Sequence, residues 1–291
     1  MDPELARDLR STHMRLISSK RDLEMLRADI AGILEEHTCT KHIGGDAYRY
    51  CSDAECSRCI LVKLDVTTQE IKLLKRITER TSGHRFFKEA VLQYKDDLPY
   101  VPKTTYGPET RILVTNYVKG PTLQAISNRL SRKDLTATLL LVFLTLDYLH
   151  RSESILHMDL KGENIVMKAW PFDTGLRLRV TGHGTFVVPK MTYFPVVVDF
   201  GNATNGKIFG TTVYDKGQWK GRCYFPGFDI FRLLGSLPTS FDVLELMGFS
   251  DIDLDSMYSM LAAPECDRLK SLFPTYASVV DYLPFSKFRQ P

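Results

Sequence analysis

Residues Ile155-Leu-His-Met-Asp-Leu-Lys-Gly-Glu-Asn-Ile-Val-Met167 decide how this chain is read. An apolar pair leads in. A polar turn then carries His157, Asp159, Lys161 and Asn164, and an apolar run leads out. Asp159 stands midway between His157 and Lys161, and Asn164 follows at Asp159 plus five. A carboxylate, an amine and an amide thus share one short loop. That combination suits removal of a proton from a hydroxyl beside a bound phosphate and a metal.

The flanks fit a loop held by buried elements. Leu135 to Arg151 is an apolar helix leading into it. Pro195-Val-Val-Val-Asp-Phe-Gly-Asn-Ala203 reads as a buried strand ending in an acidic turn. Between them, Leu176 to Val180 and Thr185 to Val188 alternate around Gly182 and Gly184, which predicts an inserted β-hairpin. Residues 204–226 are polar and Gly-rich, a surface loop, and Phe228 to Leu237 is a helix with short helices after it.

Towards the N-terminus, Arg111 to Val118 is a strand, Lys119-Gly-Pro121 a linker and Thr122 to Leu130 a helix. Residues 95–110, with prolines at 99, 102 and 108, read as irregular. Helical runs cover 67–78, with Thr67 or Thr68 as N-cap, and Phe86 to Tyr94. Cys59 to Leu64 is a short strand, and Ile43-Gly-Gly-Asp46 is a turn. Lys63 sits among apolar neighbours. It needs an anion to offset its burial, or it snorkels to solvent from an edge strand. Residues 3–36 form one amphipathic helix, with Leu9, Leu16, Leu23 and Ile30 seven apart. That stripe docks on the body of the protein or, in the sharper reading, forms a dimer or partner contact, although Thr12 and Ser19 interrupt it.

The chain has 291 residues, 44% of them hydrophobic, enough for one large core or two lobes. A net charge of +3 gives no reason to expect nucleic acid or a membrane surface as partner. The apolar run Leu139 to Leu146 is too short to span a bilayer, and the charged N-terminus does not read as a signal peptide. Six cysteines in this length do not make a disulfide scaffold, so an intracellular, reducing setting is expected. Cys39-x-x-His42 and Cys56-x-x-Cys59 have zinc-ligand spacing, but free thiols are the preferred reading.

His157-Met-Asp-Leu-Lys-Gly-Glu-Asn164 resembles the catalytic loop of eukaryotic-type protein kinases, and Asp199-Phe-Gly201 resembles their metal-binding turn. The resemblance implies that Asp159 orients or accepts the substrate hydroxyl proton and Lys161 steadies the γ-phosphate. Asn164 and Asp199 would hold Mg²⁺. Lys63 is similar to the strand lysine that contacts the α- and β-phosphates of ATP. Glu89 is preferred as its helix partner, with Glu70 as the fallback. Val114 to Leu123 resembles the adenine-gripping hinge, with Thr115 as gatekeeper and Asn116 and Val118 presenting backbone groups. Asp229 resembles the buried aspartate that ties down the catalytic loop, and His157 and Phe200 would stack in the regulatory spine.

The sequence also departs from that pattern. Gly44 and Gly45 are adjacent where the family's loop has three spaced glycines. Met158 replaces the arginine that reads an activation-loop phosphate, which argues against switching by phosphorylation. No Ala-Pro-Glu follows Asp199, so the peptide-docking platform is reduced, and the hairpin after Asn164 is an addition. This trimmed form resembles divergent kinases of large DNA viruses. The expected fold is α+β and bilobal, protein-kinase-like: an N-terminal amphipathic helix (1–36), a small β-rich nucleotide-binding lobe (37–117) and a mostly helical catalytic lobe (118–291). The expected function is ATP- and Mg²⁺-dependent phosphorylation of protein serine or threonine; Lys161 and Gly162 fit that specificity. The alternatives are a pseudokinase acting as a binding module and a small-molecule kinase.

Overall fold

The computed structural model describes residues 7–8, 25, 28–29, 32, 40–44, 47–51, 59–101, 110–205, 226–237, 275–281 and 283–290. The leucine stripe of the expected N-terminal helix lies outside them; Arg7, Asp8, Met25, Ala28, Asp29 and Gly32 are helical. The chain divides into two compact units, one of residues 1–78 and 93–117, the other of residues 79–92 and 118–291. Both helix and sheet are present, which makes the fold α+β.

The first unit is built on a five-stranded antiparallel sheet of order β1-β2-β3-β5-β4. Its strands are β1 (Thr40–Gly44), β2 (Ala47–Cys51), β3 (Cys59–Thr67), β4 (Tyr94–Val101) and β5 (Thr110–Asn116). On β3, Val62, Leu64 and Val66 are buried while Leu61 and Lys63 are half-buried, the two-residue alternation of a pleated strand. Helix α1 (Thr68–Ser82) starts directly after β3, and the Thr67 hydroxyl accepts from the Glu70 amide at 3.3 Å as its cap. Its buried residues Ile71, Leu74 and Ile77 follow the helical period.

Two expectations are corrected here. Residues 94–101 are a strand and not irregular. Pro99 is accommodated because β4 is an edge strand, where a missing N–H costs no ladder bond. Cys51 and Cys59 are not free thiols. The β2–β3 register sets them directly opposite, with Cα atoms 4.0 Å apart, and they form a disulfide. Cys59 is therefore no zinc ligand. Cys39 and Cys56 lie outside the described residues, and His42 is exposed on β1 beside the Tyr48 ring.

The second unit centres on a long buried helix. Its helices among the described residues are α2 (Arg85–Ala90), α3 (Leu123–Ile126), α4 (Arg132–Glu153), α5 (Pro226–Ser236), α6 (Tyr276–Val280) and α7 (Leu283–Ser286). The helical run expected to Tyr94 stops at Ala90, after which Val91 bridges to Val197 and the Leu92 amide bonds the Val197 carbonyl. Helix α4 is capped by Ser131, which accepts from the Asp134 amide at 3.1 Å, and ends at Ser154 in the left-handed region. From Leu135 to Leu149 nearly every side chain is buried, as the apolar sequence requires. Strands β6 (Ile165–Ala169) and β9 (Tyr193–Val197) pair antiparallel on either side of the insertion. The inserted hairpin, β7 (Leu176–Val180) and β8 (Gly184–Val188), is joined by β10 (Arg289–Gln290) in a three-stranded sheet. Among the described residues no helix is long and apolar enough to cross a membrane.

Candidate active site

In the first unit, Lys63 Nζ lies 3.1 Å from Glu70 Oε1. The Glu70 side chain is 3% exposed and that of Lys63 32%, so the pair is sheltered on one side and wet on the other. The assignment of Glu89 as partner is corrected. A register irregularity between Lys63 and Val66, followed at once by the Thr67 cap, turns strand into helix with no linker. Glu70 is thereby brought back over Lys63. Glu89 instead meets Lys168 in the second unit, Oε2 to Nζ 2.5 Å, and Lys168 also bonds the Glu89 carbonyl at 3.0 Å. Thr115 is buried on β5 opposite Leu61 and Tyr94. The Asn116 amide is donated to the Gln93 carbonyl at 3.2 Å, and its carbonyl accepts from the Thr115 hydroxyl at 3.4 Å. Val118 is half-buried at the start of the second unit's main segment. Gly44 ends β1 opposite Ala47, and Gly45 lies outside the described residues.

In the second unit the polar loop is strapped down from α5. Asp229, wholly buried, accepts from the amides of His157 (2.8 Å) and Met158 (2.7 Å) and from the Tyr276 hydroxyl (2.6 Å). Burial pushes the Asp229 carboxyl above its ordinary 3.8, against the pull of His157 and these hydrogen bonds. Burial, with the Asp229 charge beside it, raises the Tyr276 phenol well above 10.0. Three bonds to one carboxylate fix the backbone where Met158 takes φ 65, a left-handed conformation that a non-glycine residue adopts at a cost. His157 Nε2 lies 2.9 Å from the Val198 carbonyl, and its ring lies 5.0 Å from that of Phe200. The loop is thereby tied to the strand end that presents Asp199.

Asp159 and Asn164 come together as the sequence suggests. Asn164 Nδ2 donates to the Asp159 carbonyl (2.9 Å) and to Asp159 Oδ2 (3.3 Å). Asp159 Oδ1 is paired with Arg232 of α5, a residue the sequence reading missed. Arg232 lies three residues beyond Asp229, close to one helical turn, and that spacing is the signal that pointed to it. Lys161 pairs with exposed Glu163 at 3.0 Å, and this hydrogen bond raises its pKa against the effect of partial burial. Gly162 lies in crowded space. A Cβ there would meet Leu237 Cδ2 at 2.8 Å and the Gln124 amide nitrogen at 3.0 Å, and its N–H donates to Ser236 Oγ at 2.7 Å. A proline at this place would lack that N–H.

The donor set fits a hard divalent cation. Asn164 spends its NH₂ on Asp159, so its amide oxygen is turned the other way. The Val198 amide bonds the Asn164 carbonyl at 2.9 Å, and the next residue, Asp199, is exposed at φ 58. One carboxylate and one amide oxygen, completed by phosphate and water, make the usual oxygen set of Mg²⁺. Among the described residues there is no group of three or more His, Cys, Asp or Glu that could hold a metal ion.

No protein-family model matches the chain, and no curated protein matches it. Among solved structures it is similar to the Cydia pomonella granulovirus kinase PK-1, with 15% sequence identity, a TM-score of 0.49, and coverage of 89% of this chain and 99% of that one.

Proposed function

We propose that this chain transfers the γ-phosphoryl group of ATP, with Mg²⁺, to serine or threonine hydroxyls of proteins. The observation that carries the reading is the Asp159–Asn164 pair on a loop strapped by buried Asp229. Phosphoryl transfer needs positioning and charge neutralisation more than covalent help. Asp159, aimed by Asn164 and Arg232, accepts the substrate hydroxyl proton as the oxygen attacks phosphorus. Lys161, two residues on, steadies the transferred phosphoryl group, a placement that favours serine/threonine acceptors. Lys63, held by Glu70, meets the α- and β-phosphates. Asn164 and Asp199 supply ligands for Mg²⁺, whose chemistry when bound is to neutralise phosphate charge.

A second reading is favoured by one observation. Arg232 occupies an oxygen of the Asp159 carboxylate. A binding module without transfer activity would tolerate that. Labelled ATP, Mg²⁺ and generic protein substrates separate the readings when wild type is compared with Asp159→Asn. Transfer by wild type with roughly a hundredfold or greater loss in the variant supports the kinase. ATP binding without transfer supports the module, transfer only to small hydroxyl compounds moves the substrate class, and equal transfer by both proteins refutes the role of Asp159.

A further inference from the structure

The inserted hairpin is the part of the chain that the kinase resemblance leaves without a task. Arg177 and Arg179 occupy alternate, exposed positions of β7. With Arg85 of α2 and Arg151 of α4 they line a cavity of about 490 Å³, and no aspartate or glutamate is among its lining residues. Arg151 is balanced by Asp147 one turn earlier, and Arg85 lies 5.2 Å from the centre of the Phe172 ring. Among the described residues neither the Arg177 nor the Arg179 side chain has an ion-pair or hydrogen-bond partner. One wall is apolar: Phe87 stacks on Tyr148 with centroids 3.9 Å apart and planes 12° from parallel.

Two guanidinium groups unbalanced among the described residues, beside an aromatic wall, define the occupant by charge and by spacing. Alternate residues of a strand repeat at about 6.6 Å, the same repeat as alternate side chains of an extended peptide. Two carboxylates two residues apart therefore match Arg177 and Arg179, and guanidinium groups bind carboxylates through paired hydrogen bonds. The volume lies in the range of sites that enclose a short ligand segment, roughly 300–1,000 Å³. A nucleic-acid backbone is disfavoured, because it asks for a longer cationic track and the chain carries only +3. We propose that this cavity docks an extended acidic segment of a protein partner. Arg177 and Arg179 take two carboxylates at alternate positions, and the Phe87–Tyr148 stack takes an apolar side chain beside them.

Fluorescence anisotropy tests this without any reliance on phosphoryl transfer. The probe is a labelled extended peptide in which glutamates alternate with serine beside one leucine, titrated with the full chain. Saturable binding that weakens with salt is expected. Charge reversal in the double variant R177E/R179E should weaken it roughly tenfold or more at an unchanged thermal midpoint. Both arginines are exposed, so the fold does not depend on them. Replacing the leucine with serine should also weaken binding. The proposal is overturned by absence of saturable binding, by equal binding to wild type and R177E/R179E, or by tighter binding of a single-stranded oligonucleotide of equal charge.

Discussion

Removing the Asp229 carboxylate tests whether α5 and α6 hold the polar loop in place. Asp229→Ala leaves two backbone amides, those of His157 and Met158, and the Tyr276 hydroxyl without their acceptor in a fully buried site. Each orphaned donor costs about 1–3 kcal/mol. The mutant no longer buries a carboxylate, which offsets part of that sum, so a net loss of about 3–5 kcal/mol is expected. Asp229→Asn keeps the volume and one acceptor oxygen and should lose about half as much. The wild-type carboxyl has its pKa raised by burial, so the native state holds this proton more tightly than the unfolded chain. The stability linked to Asp229 is therefore full below pH 3.8 and declines as pH rises through its native pKa. The gap between wild type and Asp229→Asn should narrow in the same direction. Urea unfolding followed by tryptophan fluorescence at a series of pH values measures this. Trp170 lies in the second unit, so its fluorescence reports that unit. A loss below about 1 kcal/mol in Asp229→Ala would refute the strap, and a gap that widens with pH would refute the raised pKa of Asp229.

Glu70→Gln should lower kcat/KM for ATP-dependent transfer by about tenfold or more while Glu89→Gln changes it little; the reverse order would restore the rejected pairing. Arg232→Ala should lower kcat about tenfold with KM for ATP unchanged, and Arg232→Lys should recover part of it, because the cation aims the Asp159 carboxylate. A rise in kcat in Arg232→Ala would instead mean that the pair restrains the site. In the first unit, burial pushes Asp97 up, but hydrogen bonds from Lys75 and Tyr94 and the charge of Arg111 outweigh it and leave its pKa below 3.8. Stability from Asp97 is thus present above pH 3.8 and lost as pH falls through its native pKa, a dependence that Asp97→Asn should abolish in acid titrations followed by circular dichroism.

The polar loop was legible because its chemistry lies within a few residues, and the strands beside it because apolar runs flank it. What escaped depends on register or on contacts distant in sequence. Glu70 ranks second to Glu89 in the sequence because only seven residues separate it from Lys63, which leaves little room for a linker. The irregularity after Lys63 and the Thr67 cap remove the need for one. Cys51 and Cys59 meet only once β2 and β3 are aligned, and Pro99 marks irregular chain only if β4 is not at a sheet edge. Arg232 acts on Asp159, 73 positions away, and Tyr276 on Asp229, 47 positions away; the one local signal is the helical spacing of Arg232 from Asp229.

These long-range contacts bear on how the loop is assembled. Where the resembling kinases place an arginine to read a phosphate, this chain has Met158, wholly buried and with its amide on Asp229. A buried thioether offers no cation to a phosphate. The backbone at this place is fixed by packing and by three hydrogen bonds that converge on one carboxylate. Tyr276 adds the C-terminal helix α6 to that arrangement, and α6 packs on α4, which feeds the loop. The state of the loop is therefore coupled to the folding of the second unit as a whole. Loss of α6 would release Asp229 from one side and loosen His157 and Met158 together.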